Sequence, residues 1–134
     1  MLLSTDAFVA VVDGEKLKLF RNDGENGTAN LIAMSVPDVD RDNKGSGARH
    51  HSSAANPDDS QQDEDGFAAG VAEMLNAQVL AGHIGALIVI AAPRTLGEMR
   101  RHYHKALSAK LVGEIAKDLT GHPLHDIEKA VANA

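Results

Sequence analysis

The chain has 134 residues, a length that suits one domain with one core. Hydrophobic residues make up 43% and aromatic residues 3%, so that core must be built from Leu, Ile, Val, Ala and Met. The formal net charge of −6 argues against indiscriminate binding to nucleic acid or an anionic membrane, and the absence of cysteine excludes disulfides, thiolate zinc sites and a cysteine nucleophile.

The start, "MLLSTDAFVAVVDG", has no basic n-region and does not read as a signal peptide. No apolar run reaches the ~18 residues of a membrane span. The expectation is a cytoplasmic protein that does not enter a membrane. "AFVAVVDGEKLKLF" reads as two strands around Asp13-Gly14, a pair that supplies the positive φ tight hairpin turns need. Leu17 and Leu19 alternate with Lys16 and Lys18, the period of a half-buried strand. "RNDGENGT" is a second turn, and "NLIAMSV" a third strand of an antiparallel meander.

From Pro37 to about Ser60 the chain is rich in Asp, Asn, Ser and Gly and almost without large apolar residues. Such a segment buries too little surface to offset its ordering entropy, so a flexible loop is expected over about 38–60. "QQDEDGFAAGVAEMLNAQVLAGH" follows as a helix, with Phe67, Val71, Met74, Leu75 and Val79 on one face and Gly82 as its stop. "GALIVIAAP" is a continuous apolar run, consistent with a strand buried on both faces and central in the sheet.

Thr95 to Glu98 spells T-x-x-E, a capping-box pattern. The helix it opens places Leu96, Met99, Tyr103, Ala106 and Leu107 on one face. "KLVGEIAKDL" permits either a last strand or a continued helix. "HPLHDIEKAVANA" puts Pro123 at a favourable first helical position, with Leu124, Ile127 and Val131 at helical spacing. The order β-β-β-α-β-α-β-α predicts an α/β fold with a mixed five-stranded sheet, an order that resembles ribonuclease H-like folds.

Chemistry is sparse in this order. A two-metal nuclease needs carboxylates at strand ends; Asp13 ends the first strand, but "GALIVIAAP" carries no acid. The acids at 58–65 suit a solvated helix N-terminus better than a metal cage. Among the seven histidines, His50-His51 and His102/His104 lack the i, i+4 spacing of a helical zinc site. No G-x-S-x-G occurs, and "GSGAR" lacks the P-loop lysine. No catalytic residue, metal site or cofactor is assigned. What stands out is a basic cluster. Arg94, Arg101, His102 and Lys105 fall opposite the apolar face of the helix, with Arg100 and His104 at its borders. A solvated face is the plain explanation; a patch for phosphate or an acidic partner, beside the carboxyl end of an inner strand, is the functional one.

"DAFVAVVDGEKLKLFRN", "APRTLGEMRRHYHKAL" and "EIAKDLTGHPLHDIEKA", in this order, resemble the host-attachment protein family over nearly the whole chain. That family is similar to the middle domain of archaeal and eukaryotic class I peptide-chain release factors, which implies a ribonuclease H-like topology. In those release factors the loop before the long helix carries Gly-Gly-Gln; the matching loop here, "NKGSGARHHSSAAN", has Gly45 and Gly47 but no Gly-Gly-Gln, so the resemblance does not by itself carry peptide-release chemistry over. The expectation is a non-catalytic cytoplasmic binding module that contacts the ribosome or structured RNA through Arg49 of the loop and Arg94, Arg101 and Lys105. The alternative is a structural or regulatory domain that influences attachment indirectly, through a protein partner.

Overall fold

The structure, a computed structural model, describes residues 3–25, 28–39 and 59–134. Its elements are β1 (Phe8–Val12), β2 (Leu17–Asn22), β3 (Leu31–Met34), α1 (Asp59–Leu80), β4 (Leu87–Ala91), α2 (Pro93–Arg100), α3 (Lys105–Lys110), β5 (Leu111–Ala116) and α4 (Leu124–Ala132). The strands form one mixed sheet in the order β3-β2-β1-β4-β5. β1–β2 and β2–β3 are antiparallel, while β1–β4 and β4–β5 are parallel. The expected α/β class and mixed five-stranded sheet are therefore present, with one helix more than expected. β4 is an inner strand, buried at every position, although β1 takes the middle place.

Alternation along β1 and β4 divides the interior into two cores. Ala10, Val12, Leu87, Val89 and Ala91 face α1, α2 and α3, meeting Phe67, Val71, Leu75, Leu96, Met99 and Leu107. Val9, Val11, Ile88 and Ile90 face the other side, where Ile127 and Val131 of α4 close over them. Parallel strands covered on both faces need this unbroken apolar sequence. The ambiguous segment is a strand: pairing with β4 offers its backbone a full ladder. A register irregularity beside Leu87 skips Val112, which is left 47% exposed on the sheet edge.

The turn expectation fails in an instructive way. Gly82 has φ +82 and ends α1, as expected, but Gly14 has no positive φ. The β1–β2 turn is closed by a side chain instead. Asp13 Oδ1 accepts from the amides of Glu15 and Lys16 at 2.7 and 2.6 Å. Gly14 serves close approach, since an added Cβ there would lie 2.5 Å from Glu64 Cγ on α1.

The helix expected from Thr95 onward is broken. α2 begins at Pro93 with Ala92 as its cap and no side-chain capping bond, so T-x-x-E is not a capping box. Pro93 is pre-set for the first turn, which places Thr95 and Glu98 too far inside. The break at 101–104 is made by Asn76 of α1, 6% exposed among apolar neighbours. Its Nδ2 donates to His102 O at 2.8 Å and its Oδ1 accepts from His104 N at 2.9 Å. His104 Nδ1 then accepts from Ala106 N at 2.9 Å and caps α3. At α4, Pro123 is the cap residue, one position before the first helical residue. The loop expected over about 38–60 lies from residue 40 to 58 outside the described residues, and Asp59 and Ser60 already belong to α1.

Candidate functional site

β1, β4 and β5 run parallel, so their carboxyl ends meet at one edge of the sheet. The segments that leave them, together with the start of α1, line a cleft of about 330 Å³. Its walls carry Asp13 and Glu15 after β1, Glu64 and Asp65 on α1, Arg94 and Thr95 on α2, and Asp118 after β5. In open α/β sheets this edge is where ligands commonly bind.

The acids are not equivalent. Asp13 is already committed: beyond the two turn amides, its Oδ2 accepts from the Thr120 hydroxyl at 2.7 Å. Burial works to raise the Asp13 pKa, but hydrogen bonds from the Glu15 amide, the Thr120 hydroxyl and the Lys16 amide, with the Lys16 charge, outweigh it and hold it below the usual value. Thr120 Oγ1 also lies 2.9 Å from Asp118 Oδ1. The Asp-Leu-Thr run of the sequence thus fastens the β5–α4 connection to the first hairpin. Among the described residues, no group of three or more His, Asp or Glu has a geometry that could hold a metal ion.

Basic residues divide into two sets. Arg100 Nε donates to Glu114 Oε1 and Oε2 on β5 at 3.1 and 3.2 Å, and that hydrogen bond and charge hold its pKa above the usual value. His102 Nε2 lies 2.9 Å from Glu98 Oε2, whose side chain is buried. His104 is occupied as the α3 cap. Tyr103 packs against the core beneath them, and among the described residues its buried hydroxyl has no partner in good hydrogen-bond geometry. Burial, and then the Glu114 charge, push its pKa well up, with Arg100 acting against them.

Arg94, Arg101 and Lys105 form the second set. All three are exposed, and none makes a side-chain hydrogen bond or ion pair with any described residue. They are not on one continuous helix: Arg94 is in the first turn of α2, Arg101 is its C-cap, and Lys105 starts α3. Arg94 and Arg101 are nevertheless seven residues apart on one helical path, so they share a face about 10 Å along the axis. Arg94 also borders the acidic cleft. Arg49 lies outside the described residues. The cleft itself was not assembled beforehand, although Asp13 at a strand end, the acids at 58–65 and Arg94 beside the carboxyl end of an inner strand were each visible.

Among the described residues, no helix is long and apolar enough to cross a membrane. No curated protein sequence matches the chain. The family model of bacterial archaeo-eukaryotic release factor family 12 matches residues 6–131, which takes in every strand and helix described above except the last residue of α4. Release-factor similarity thus extends from the first hairpin to α4, and the chain belongs to bacterial archaeo-eukaryotic release factor family 12.

Proposed function

We propose that the protein is a non-catalytic, translation-associated binding module of the cytoplasm that contacts the ribosome or structured RNA through Arg94, Arg101 and Lys105, joined by Arg49. One observation carries this reading. In a chain of net charge −6, the fold engages Arg100, His102 and His104 internally and leaves Arg94, Arg101 and Lys105 exposed without partners among the described residues. Release-factor family membership supports a translational partner. The β3-β2-β1-β4-β5 order supports the ribonuclease H-like topology that belongs to the same reading. Any effect on host-cell attachment is then indirect.

The alternative, a protein-interaction domain, is favoured by the open edge of β5. There Val112 is exposed, and a cavity of about 650 Å³ runs between β5 and α4. Binding to purified bacterial ribosomes and to a folded RNA hairpin, titrated with salt, separates the two. Native protein should bind at low salt, with a slope that falls by about one unit for each phosphate contact removed. The double charge reversal R101E/K105E should weaken binding while changing stability by roughly 0.5 kcal/mol or less. If native protein binds neither probe at low salt, the protein-partner reading takes first place.

A further inference from the structure

Gly97 lies in the middle of α2, where glycine is a poorer choice than alanine because it gives up more backbone freedom on folding. Within a fold, such a position requires glycine only for a positive φ or for close approach. Neither applies. Gly97 is ordinary helix, and among the described residues a Cβ added to it would meet no atom within 4 Å beyond its chain neighbours and its own helix backbone. Gly14 is the contrast, since its missing Cβ makes room for Glu64.

The neighbours of Gly97 supply a reason. Leu96, Glu98 and Met99 are the buried residues of α2, so the helix faces solvent on the opposite side. There Arg94 stands about one turn before Gly97 and Arg101 about one turn after it. Both are exposed and unpaired among the described residues. Half-buried Gly97 thus lies between two guanidinium groups that are unpaired among the described residues.

The geometry points to the Arg94–Gly97–Arg101 face of α2 as a close-approach surface for the phosphate backbone of a folded RNA, with Gly97 as the positioning residue. This rests on the RNA-binding reading above and deepens it. The backbone positions of Arg94 and Arg101 lie about 10 Å apart along the axis, a spacing that lets the two side chains reach separate phosphates. The absent side chain between them lets the strand come against the helix itself. Pro93, Arg94, Gly97, Arg100 and Arg101 offer no large apolar group, and the unpaired charge on this face is positive, which suits a polyanionic backbone. The acids of the adjoining cleft repel phosphate and keep the strand on the outer face, with Arg94 at the border.

Full-length native protein, G97A, G97L and R101E/K105E should be compared by melting temperature and by affinity for a folded RNA hairpin and purified bacterial ribosomes. G97A should melt about 4 °C higher than native protein, because alanine is the better helix former and nothing obstructs it. G97L should melt no lower than native protein and lose roughly tenfold in RNA affinity, a loss of about 1.4 kcal/mol. G97A should lose affinity by a smaller factor. Native-like RNA affinity in G97L, with weakened binding in R101E/K105E, would overturn the role of Gly97 and leave the RNA-binding reading standing. No binding by native protein would sink both. Loss of ribosome binding in G97L without any salt dependence would put a protein on this face and overturn the RNA assignment.

Discussion

Replacing Thr120 with valine removes one hydroxyl and nearly keeps the shape. In the native protein that hydroxyl donates to Asp13 Oδ2 at 2.7 Å across 107 residues of sequence. Its oxygen is also 2.9 Å from Asp118 Oδ1, but a hydroxyl has one proton, and the shorter contact has the stronger claim on it. Thr120 is 6% exposed, so water replaces the lost donor poorly. A hydrogen bond to a charged group contributes about 1.5–3 kcal/mol. Asp13 is only half-buried and retains two amide donors, so solvent screening discounts this to roughly 1–1.5 kcal/mol. With a urea slope of about 1–3 kcal/mol/M, the unfolding midpoint at pH 7 should fall by roughly 0.5–1 M. The pH dependence is the sharper test. The Asp13 pKa is depressed in the folded state, so its contribution is present above its unfolded value of about 3.9 and is lost as pH falls through the folded value. T120V should therefore cost its full amount at neutral pH and progressively less in acid, as Asp13 takes up a proton. Equal destabilisation in acid and at neutral pH, or an unchanged midpoint at pH 7, would refute the account.

Two further expectations concern the interior. Asn22 is 0% exposed; its Nδ2 donates to the carbonyls of Leu3 and Ser4 at 3.2 and 3.1 Å, and its Oδ1 accepts from the amides of Gly24 and Asn30 at 3.0 and 2.9 Å. Asn22→Leu strands these buried groups and should cost roughly 3–5 kcal/mol by chemical denaturation; a cost below about 1 kcal/mol would mean that water reaches them. Ile90, 0% exposed between β1, β5 and α4, should lose about 2–5 kcal/mol as Ile90→Ala, and a smaller loss would show that α4 collapses into the gap.

Local patterns made the sheet legible and left its fastenings hidden. Alternation in 16–20 and the unbroken apolar run of β4 are properties of consecutive residues, and each sorts side chains to a face by itself. The strand assignment of 111–116 is different. Val112 and Ile115 suit either state, and the choice belongs to the free edge of β4, which a single segment does not reveal. The break between α2 and α3 depends on Asn76, some 26 residues earlier. A polar residue amid Met74, Leu75 and Val79 was its trace in the sequence, and the partner was not. T-x-x-E misled because Pro93 starts the helix two residues before Thr95, an instance of one helix-start signal overriding another.

The basic cluster shows the same limit at the level of function. The sequence sets six basic side chains between Arg94 and Lys105 but says little about which are neutralised. The Glu98–His102 pair is one helical turn apart and could have been read from spacing. Glu114, which engages Arg100, could not, because its position depends on β5 being a strand beside β4. Once those partners are assigned, the residual positive charge is smaller than composition suggests, but it is better placed: two guanidiniums on one helical face and an ammonium at the start of the next helix. Free charge of this kind contributes little to stability, since exposed groups gain little from weak pairing. It is retained on a net acidic molecule beside a cleft of carboxylates, where diffuse attraction to polyanions is cancelled at a distance and remains only at contact. On the proposed RNA-binding reading, shape would matter at this surface as well as charge, which makes the glycine between the two arginines the position to test.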